Sequence, residues 1–206
     1  MSAHARRVPT GRAGRLRLRR SLGTARRGAD LLEHKLRLLL DRERAERRAA
    51  EEAYRVWRDR LAEADVWLVR GVLLGGERAL AEAVLADRAF VDVEWDALMD
   101  VRHPATVAWT APVRSPAEPT PSNTALAHAE SSYLAAVPAA AEHAARTAAA
   151  RLLSAEAERT AQRVRALRRH WIPQLENELS AVELALEEAE HEEAVRRRWA
   201  ATHGAG

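Results

Sequence analysis

No cysteine occurs among the 206 residues. That excludes disulfides, thiolate catalysis and cysteine-based zinc sites. Aromatic side chains make up 4% of the chain, a thin supply for a large globular core. Nine Gly and eight Pro leave few breakers for a fold with many turns. Lysine is almost missing: of 33 basic residues only Lys35 is not arginine. No apolar run approaches the roughly 18 residues of a membrane span. The longest candidate, VWLVRGVLL, is interrupted by Arg70 and Gly71. No secretory apolar region stands near residue 1.

What is present points to long helices. Ala, Leu, Arg and Glu dominate, and 31% of residues are charged, the profile of coiled coil. Apolar and small residues recur at Leu18, Leu22, Ala25, Ala29, Leu32, Leu36 and Leu39, in steps of four and three. Such heptad spacing keeps one stripe facing a partner helix. The register continues through Glu43, Glu46, Ala50, Ala53, Trp57, Ala64 and Leu68. Two Glu in the seam predict a weak or partly open middle. Leu74-Gly75-Gly76 offers a stop. A second seam runs through Leu153, Ala157, Thr160, Val164, Leu167, Trp171, Leu175, Leu179, Val182 and Leu186. Two consecutive steps of four around Trp171 read as a stutter, and Pro173 beside it predicts a kink. Pro138 predicts a bend or restart in a helix beginning near Thr124.

The fold class is therefore mainly α, a long antiparallel two-helix coiled coil with a small insert. Helix one covers roughly 14–74 and helix two roughly 125–201, on the order of 90 and 110 Å at 1.5 Å per residue. Three segments follow: 1–74, 75–124 and 125–206. In the insert, Val91, Val93 and Trp95 alternate with acidic residues, the period of a strand. TVAWT at 106–110 is its expected hairpin mate, with VRHPA as the connection and Trp95 and Trp109 as cross-strand partners. Four Pro between 112 and 121 mark a loop, and Leu80 to Leu85 a short helix.

Charge is segregated. From Met1 to Arg27 there are nine Arg and no acidic residue. From Gln174 to Val195 there are eight Glu and no Lys or Arg. Folding the chain back about the insert sets residues 8–22 beside 178–192, so the two runs become complementary halves of one hairpin. Each exposed pair stabilises by about 0 to 1 kcal/mol, but flanking charges set orientation and register. This lowers the weight of a targeting peptide or a nucleic-acid arm. Arg163, Arg165, Arg168 and Arg169 fall opposite residues 31–37, where Glu33 supplies the only negative charge. They are either a contact for acidic loops or an ordinary solvated basic face.

Catalytic patterns are missing. GRAGRL and GVLLGG lack the order of a phosphate-binding loop, and the eight His show no His-Glu-x-x-His spacing. No catalytic residue, metal site or cofactor is expected. Glu187 and Glu188 are adjacent and point differently on a helix.

Both ends carry family motifs. Pro9-Thr10 precedes a Leu-rich basic helix containing ARRGADLLEHK at 25–35. Later come Arg163-Val164-x-Ala166-Leu167, the pair Ile172-Pro173 and Leu186-Glu187-Glu188. In this combination the chain resembles the D subunits of the V-type and A-type rotary ATPases, over about two thirds of its length. It departs from the family at Arg165 and Arg168, where the motif has Asn and Glu. The resemblance implies a non-catalytic axle, a central-stalk rotor component coupling ion-driven ring rotation to ATP synthesis or hydrolysis. It implies as partners the catalytic and regulatory nucleotide-binding subunits, the small F subunit of the stalk, a membrane-side coupling subunit and the proteolipid ring. It implies a cytoplasmic place, peripheral to the membrane of a bacterial cell. Candidate contacts with these partners are Arg12, Arg15, Arg19, Arg163, Arg168, Arg169, Arg196 and Arg197, and Trp199 is a candidate bearing residue near the tip. The competing readings are a coiled-coil scaffold or secretion adaptor, and a basic coiled-coil nucleic-acid binder.

Overall fold

A computed structural model describes residues 10–203. The Pro9 of the Pro-Thr pair and the first two arginines, Arg6 and Arg7, lie outside the described residues. Helix α1 spans Gly11–Ala83, strand β1 Phe90–Leu98 and strand β2 Val101–Thr110. Helix α2 spans Thr124–Ala166 and passes through one π turn, Leu167–Trp171, into α3, Ile172–His203. The two long helical stretches pack together, with the two-stranded antiparallel sheet between them in sequence.

The chain divides into two compact units. One pairs the chain up to Leu36 with the chain from Glu158; the other is Arg37–Ala157. In the first unit Leu18, Leu22, Ala29, Ile172, Leu175 and Val182 are buried together, with Ala25, Leu167, Leu179 and Leu186 against them. Leu32, Leu36 and Val164 are half-buried. Burial of each large aliphatic side chain contributes about 1.5–3 kcal/mol, so this seam outweighs any single surface ion pair. The heptad pattern places these residues on one face.

The π turn corrects the stutter. Trp171, expected in the seam, is 41% exposed, and Ile172 is buried in its place. The seam steps by five from Leu167 to Ile172 and by three from Ile172 to Leu175. That is one residue more than a heptad, which a single wider turn absorbs. The Ile172 N–H donates to the Leu167 carbonyl. Pro173 follows at once, a residue that lacks an N–H and crowds the preceding turn. The wider turn relieves that crowding.

In the second unit alanines form much of the seam. Ala50, Ala64 and Ala79 of α1 and Ala129, Ala136, Ala139 and Ala149 of α2 are buried, with Leu39, Leu126 and Leu153. Small side chains let the helices approach closely. At Gly71 an added Cβ would lie 2.6 Å from Leu126 Cδ2. Trp57 is half-buried here and stacks on His143, centroids 5.7 Å apart. The middle is closed, which corrects the expected opening at Glu43 and Glu46. Glu46 is 2% exposed and receives Arg42 at 2.8 Å and Arg146 at 3.2 Å. Glu43, also buried, pairs with Arg47.

The predicted stop at 74–76 is a break, not an end. Gly76 has φ 72° and ψ −179°, a conformation reserved for glycine. The helix resumes beyond it to Ala83. Nor does α2 restart at Pro138: it runs on unbroken from Thr124. Asn123 caps it, its Oδ1 accepting from the Leu126 N–H at 2.9 Å. Arg60 donates to the Ala135 carbonyl at 2.9 Å, one turn before Pro138.

The hairpin exists with a different connection. VRHPA belongs to β2, and Met99-Asp100 make the turn. Both have positive φ, 50° and 68°, as the tight two-residue turn between twisted strands requires. The register shifts between Glu94 and Trp95, leaving Ala105 as the extra residue beside Pro104. Pro is tolerated at such bulges. Trp95 therefore pairs with Pro104 and Trp109 with Val91, so the two Trp are not partners. Val93 pairs with Val107.

Candidate interaction surfaces

Three arginines of α1 lie one heptad apart: Arg12, Arg19 and Arg26. Three glutamates of α3 lie one heptad apart in the opposite sense: Glu190, Glu183 and Glu176. They meet as Arg12–Glu190 at 2.9 Å, Arg19–Glu183 at 2.6 Å and Arg26–Glu176 at 2.7 Å. The ladder borders the Leu18–Val182 seam. Its repeat of seven holds every pair on one side of the helix pair. Arg15 also comes from this run. It is half-buried, and its Nε has no hydrogen-bond partner.

At the π turn the arginines separate into two kinds. Arg168 donates to Glu33 at 2.8 Å and to Asp30 at 2.6 Å. Those hydrogen bonds, Glu33 first, hold its guanidinium pKa above the usual value. Sequence reasoning counted Glu33 alone; Asp30, one turn earlier on the helix, also reaches. Among the described residues Arg163, Arg165 and Arg169 have no carboxylate partner, and all three are exposed or half-exposed at the surface.

Near the end of α3, Arg196 pairs with Glu192 at 3.0 Å, and Arg197 pairs with Glu193. Arg197 lowers the Glu193 pKa, chiefly through their hydrogen bond. Trp199 is exposed and stacks on His203, centroids 4.7 Å apart. Of the eight arginines expected to meet partners, five are thus already engaged within the chain: Arg12, Arg19, Arg168, Arg196 and Arg197.

The hairpin presents Phe90, Val91, Val93 and Trp95 to solvent. Its base is tied down by residues that sequence reasoning missed. The Arg114 guanidinium, largely buried, donates to the Ala83 carbonyl at 3.0 Å, the Pro119 carbonyl at 2.6 Å and Glu130 at 2.7 Å. Asp87 accepts from the Val113 N–H at 2.9 Å and from the Arg88 N–H. These two backbone donors, Val113 first, hold its carboxyl below the usual range. Neither residue lies on a periodic face or in a motif, so no sequence signal marks it.

Chemically these surfaces offer paired and unpaired guanidinium groups and exposed apolar side chains for contact. Among the described residues no group of three or more His, Asp and Glu is placed to hold a metal ion. No helix of the described residues is long and apolar enough to cross a membrane. A protein-family model described as the D subunit of ATP synthase matches residues 15–202. The match takes in both long helical stretches and the hairpin. No curated protein matches the chain.

Proposed function

Because the chain belongs to the family of ATP synthase D subunits, we propose that it is the central-stalk rotor component of a V/A-type rotary ATPase. In this reading it performs no chemistry. It transmits rotation between an ion-driven ring in the membrane and the catalytic hexamer, where ATP is made or hydrolysed. The observation that carries the reading is the arginine–glutamate ladder beside an apolar seam. A shaft must resist sliding and unwinding of its two strands under load. The seam supplies the cohesion, and the heptad-spaced pairs oppose slippage. A rotor biases its partners by making different contacts with their different states.

The partners in this reading are the catalytic and regulatory nucleotide-binding subunits, the small F subunit of the stalk, the membrane-side coupling subunit and the proteolipid ring. The chain needs no nucleic acid and no insertion into lipid. It belongs at the cytoplasmic face of a bacterial membrane, held there through the complex. Its three working parts are 1–74, 75–124 and 125–206: the two strands of the shaft and the insert at their turn. The seam residues from Leu18 to Leu39 and from Val164 to Leu186, with Trp57, hold the strands together.

The test is a tagged purification from gently solubilised membranes, with a high-salt wash and nuclease treatment. The expected result is co-recovery of nucleotide-binding subunits that hydrolyse ATP. Recovery of the chain without them, or its loss on nuclease treatment, overturns the reading.

A further inference from the structure

We propose that residues 77–120 form an arm that turns about Gly76, and that the Arg114–Glu130 ion pair is the catch holding it on α2. The movement is independent of the stalk reading. Three neighbouring glycines point to it, each glycine for its own reason. A Cβ at Gly71 would lie 2.6 Å from Leu126, and one at Gly75 would lie 2.5 Å from Ala79 and 2.9 Å from Asn123. Close packing demands glycine at both. At Gly76 a Cβ would meet nothing within 4 Å. Only its backbone, at φ 72° and ψ −179°, demands glycine there. Helix α1 is thus broken at a residue with open space beside it.

The arm is a body of its own. Its two ends are stapled to each other. Arg114 donates to the Ala83 and Pro119 carbonyls, Asp87 accepts from the Val113 N–H, and the Ala86 N–H donates to Glu118 at 3.3 Å. All of these partners lie within 77–120. The way back to α2 is Pro121-Ser122-Asn123, outside any helix or strand.

Little fastens that body to the long helices. Of residues 77–120 only Ala79, His103 and Pro104 are buried, and every residue of β1 but Leu98 is exposed. Segments with so few buried apolar contacts are the ones that open locally. Among the described residues the one ion pair from the arm to α2 is Arg114–Glu130 at 2.7 Å, its side chains 17% and 26% exposed. A charge-assisted bond so shielded is stronger and less screened than a surface pair. It is nonetheless a single bond. Its loss frees the arm from α2 and leaves the arm's own staples in place.

The full chain, which has no cysteine, takes nitroxide labels at Asp92→Cys on the arm and Ala127→Cys on α2, both exposed positions. Double electron–electron resonance is expected to give one narrow separation. Glu130→Ala removes the catch, keeps Arg114 on its two carbonyls and places the best helix former in α2. It is expected to add a second separation, displaced by at least about 5 Å, one helical turn, with helix content unchanged. Hydrogen exchange of the β1–β2 amides is expected to stay as slow as in the parent chain. Adding Gly76→Val to Glu130→Ala is expected to deplete the original separation, since a β-branched residue is disfavoured at positive φ. An unchanged single separation in Glu130→Ala overturns the catch, as does a broad distribution already in the parent. Fast exchange of the hairpin amides in Glu130→Ala overturns the arm, which then unravels rather than turns. The original separation persisting undiminished in the doubly changed chain overturns Gly76 as the joint.

Discussion

Gly71 illustrates how one residue's choice is made by its surroundings. In an isolated helix alanine is preferred to glycine by about 1 kcal/mol. Here a Cβ would press within 2.6 Å of the buried Leu126 side chain and 3.1 Å of its backbone nitrogen. Overpacking typically costs about 1–3 kcal/mol, so it outweighs the propensity gain. Gly71→Ala is expected to destabilise the chain by about 1 kcal/mol in urea unfolding, a net of those two terms; a stabilised variant refutes the close approach. Tyr133 gives a second residue-scale prediction. Its hydroxyl donates to Asp65 at 2.5 Å. Burial, then that hydrogen bond and the Asp65 charge, push its pKa up to about 12 from 10.0. The raised value means the contribution of Tyr133 to stability is full below pH 10. It is lost as pH rises from 10 to about 12. In a Tyr54→Phe background, phenolate absorbance reports Tyr133 alone, and its midpoint is expected near 12. Asp65→Asn should move that midpoint down. An unmoved midpoint shows that Asp65 does not hold the proton there.

At the scale of an element, the ladder and the seam do different work. Removing one large aliphatic residue from the seam, as in Leu175→Ala, typically costs about 2–5 kcal/mol. An exposed ion pair contributes about 0–1 kcal/mol. The pairs therefore matter for orientation, because a parallel or slipped arrangement sets like charges together. Arg19→Glu is expected to lower the melting temperature at low salt, and Glu183→Arg in the same chain to restore it. The difference should shrink at about 1 M salt, where the screening length is about 3 Å. No rescue by the second change means that the two side chains are not paired. The π turn belongs to this scale as well. Trp171 was legible as a seam position because Leu167, Trp171, Leu175 and Leu179 follow one another in three steps of four, one residue more than the heptad allows. Counting shows that a residue is extra but not where in that stretch the helix absorbs it. Only the backbone shows which carbonyl each N–H meets.

For the whole molecule, the antiparallel fold-back predicts a set of neighbours that the chain's lack of cysteine makes simple to test. A short bismaleimide linker should join Arg12→Cys to Glu190→Cys within one molecule. It should also join Asp65→Cys to Tyr133→Cys, which lie in the other compact unit. If neither link forms, the fold-back is misplaced. Opposite charge runs at the two ends of a sequence are a whole-chain property. They neutralise one another only once the termini are side by side, as the pairs from Arg12 to Glu190 do.

The sequence by itself determined the long helices, their antiparallel partnership and most of the seam, because heptad periodicity and charge segregation are written along the chain. Leu18, Leu22, Leu175 and Val182 were legible for that reason. Alternation in the same way announced β1. The family motifs at both ends pointed to the rotary-ATPase D subunits, the family whose description matches residues 15–202. Tertiary structure alone decided the rest. The hairpin turn fell at Met99-Asp100 because cross-strand pairing outweighed the reluctance of those residues to take positive φ. Glu43 and Glu46 closed the middle because Arg42, Arg47 and Arg146 reach them, and a seam carboxylate is tolerated inside only when it is paired. Arg168 was separated from Arg163, Arg165 and Arg169 by which guanidinium could touch Asp30 and Glu33. Periodicity reports which face a residue occupies. It does not report which of several like side chains finds a partner, since that depends on distances across two helices.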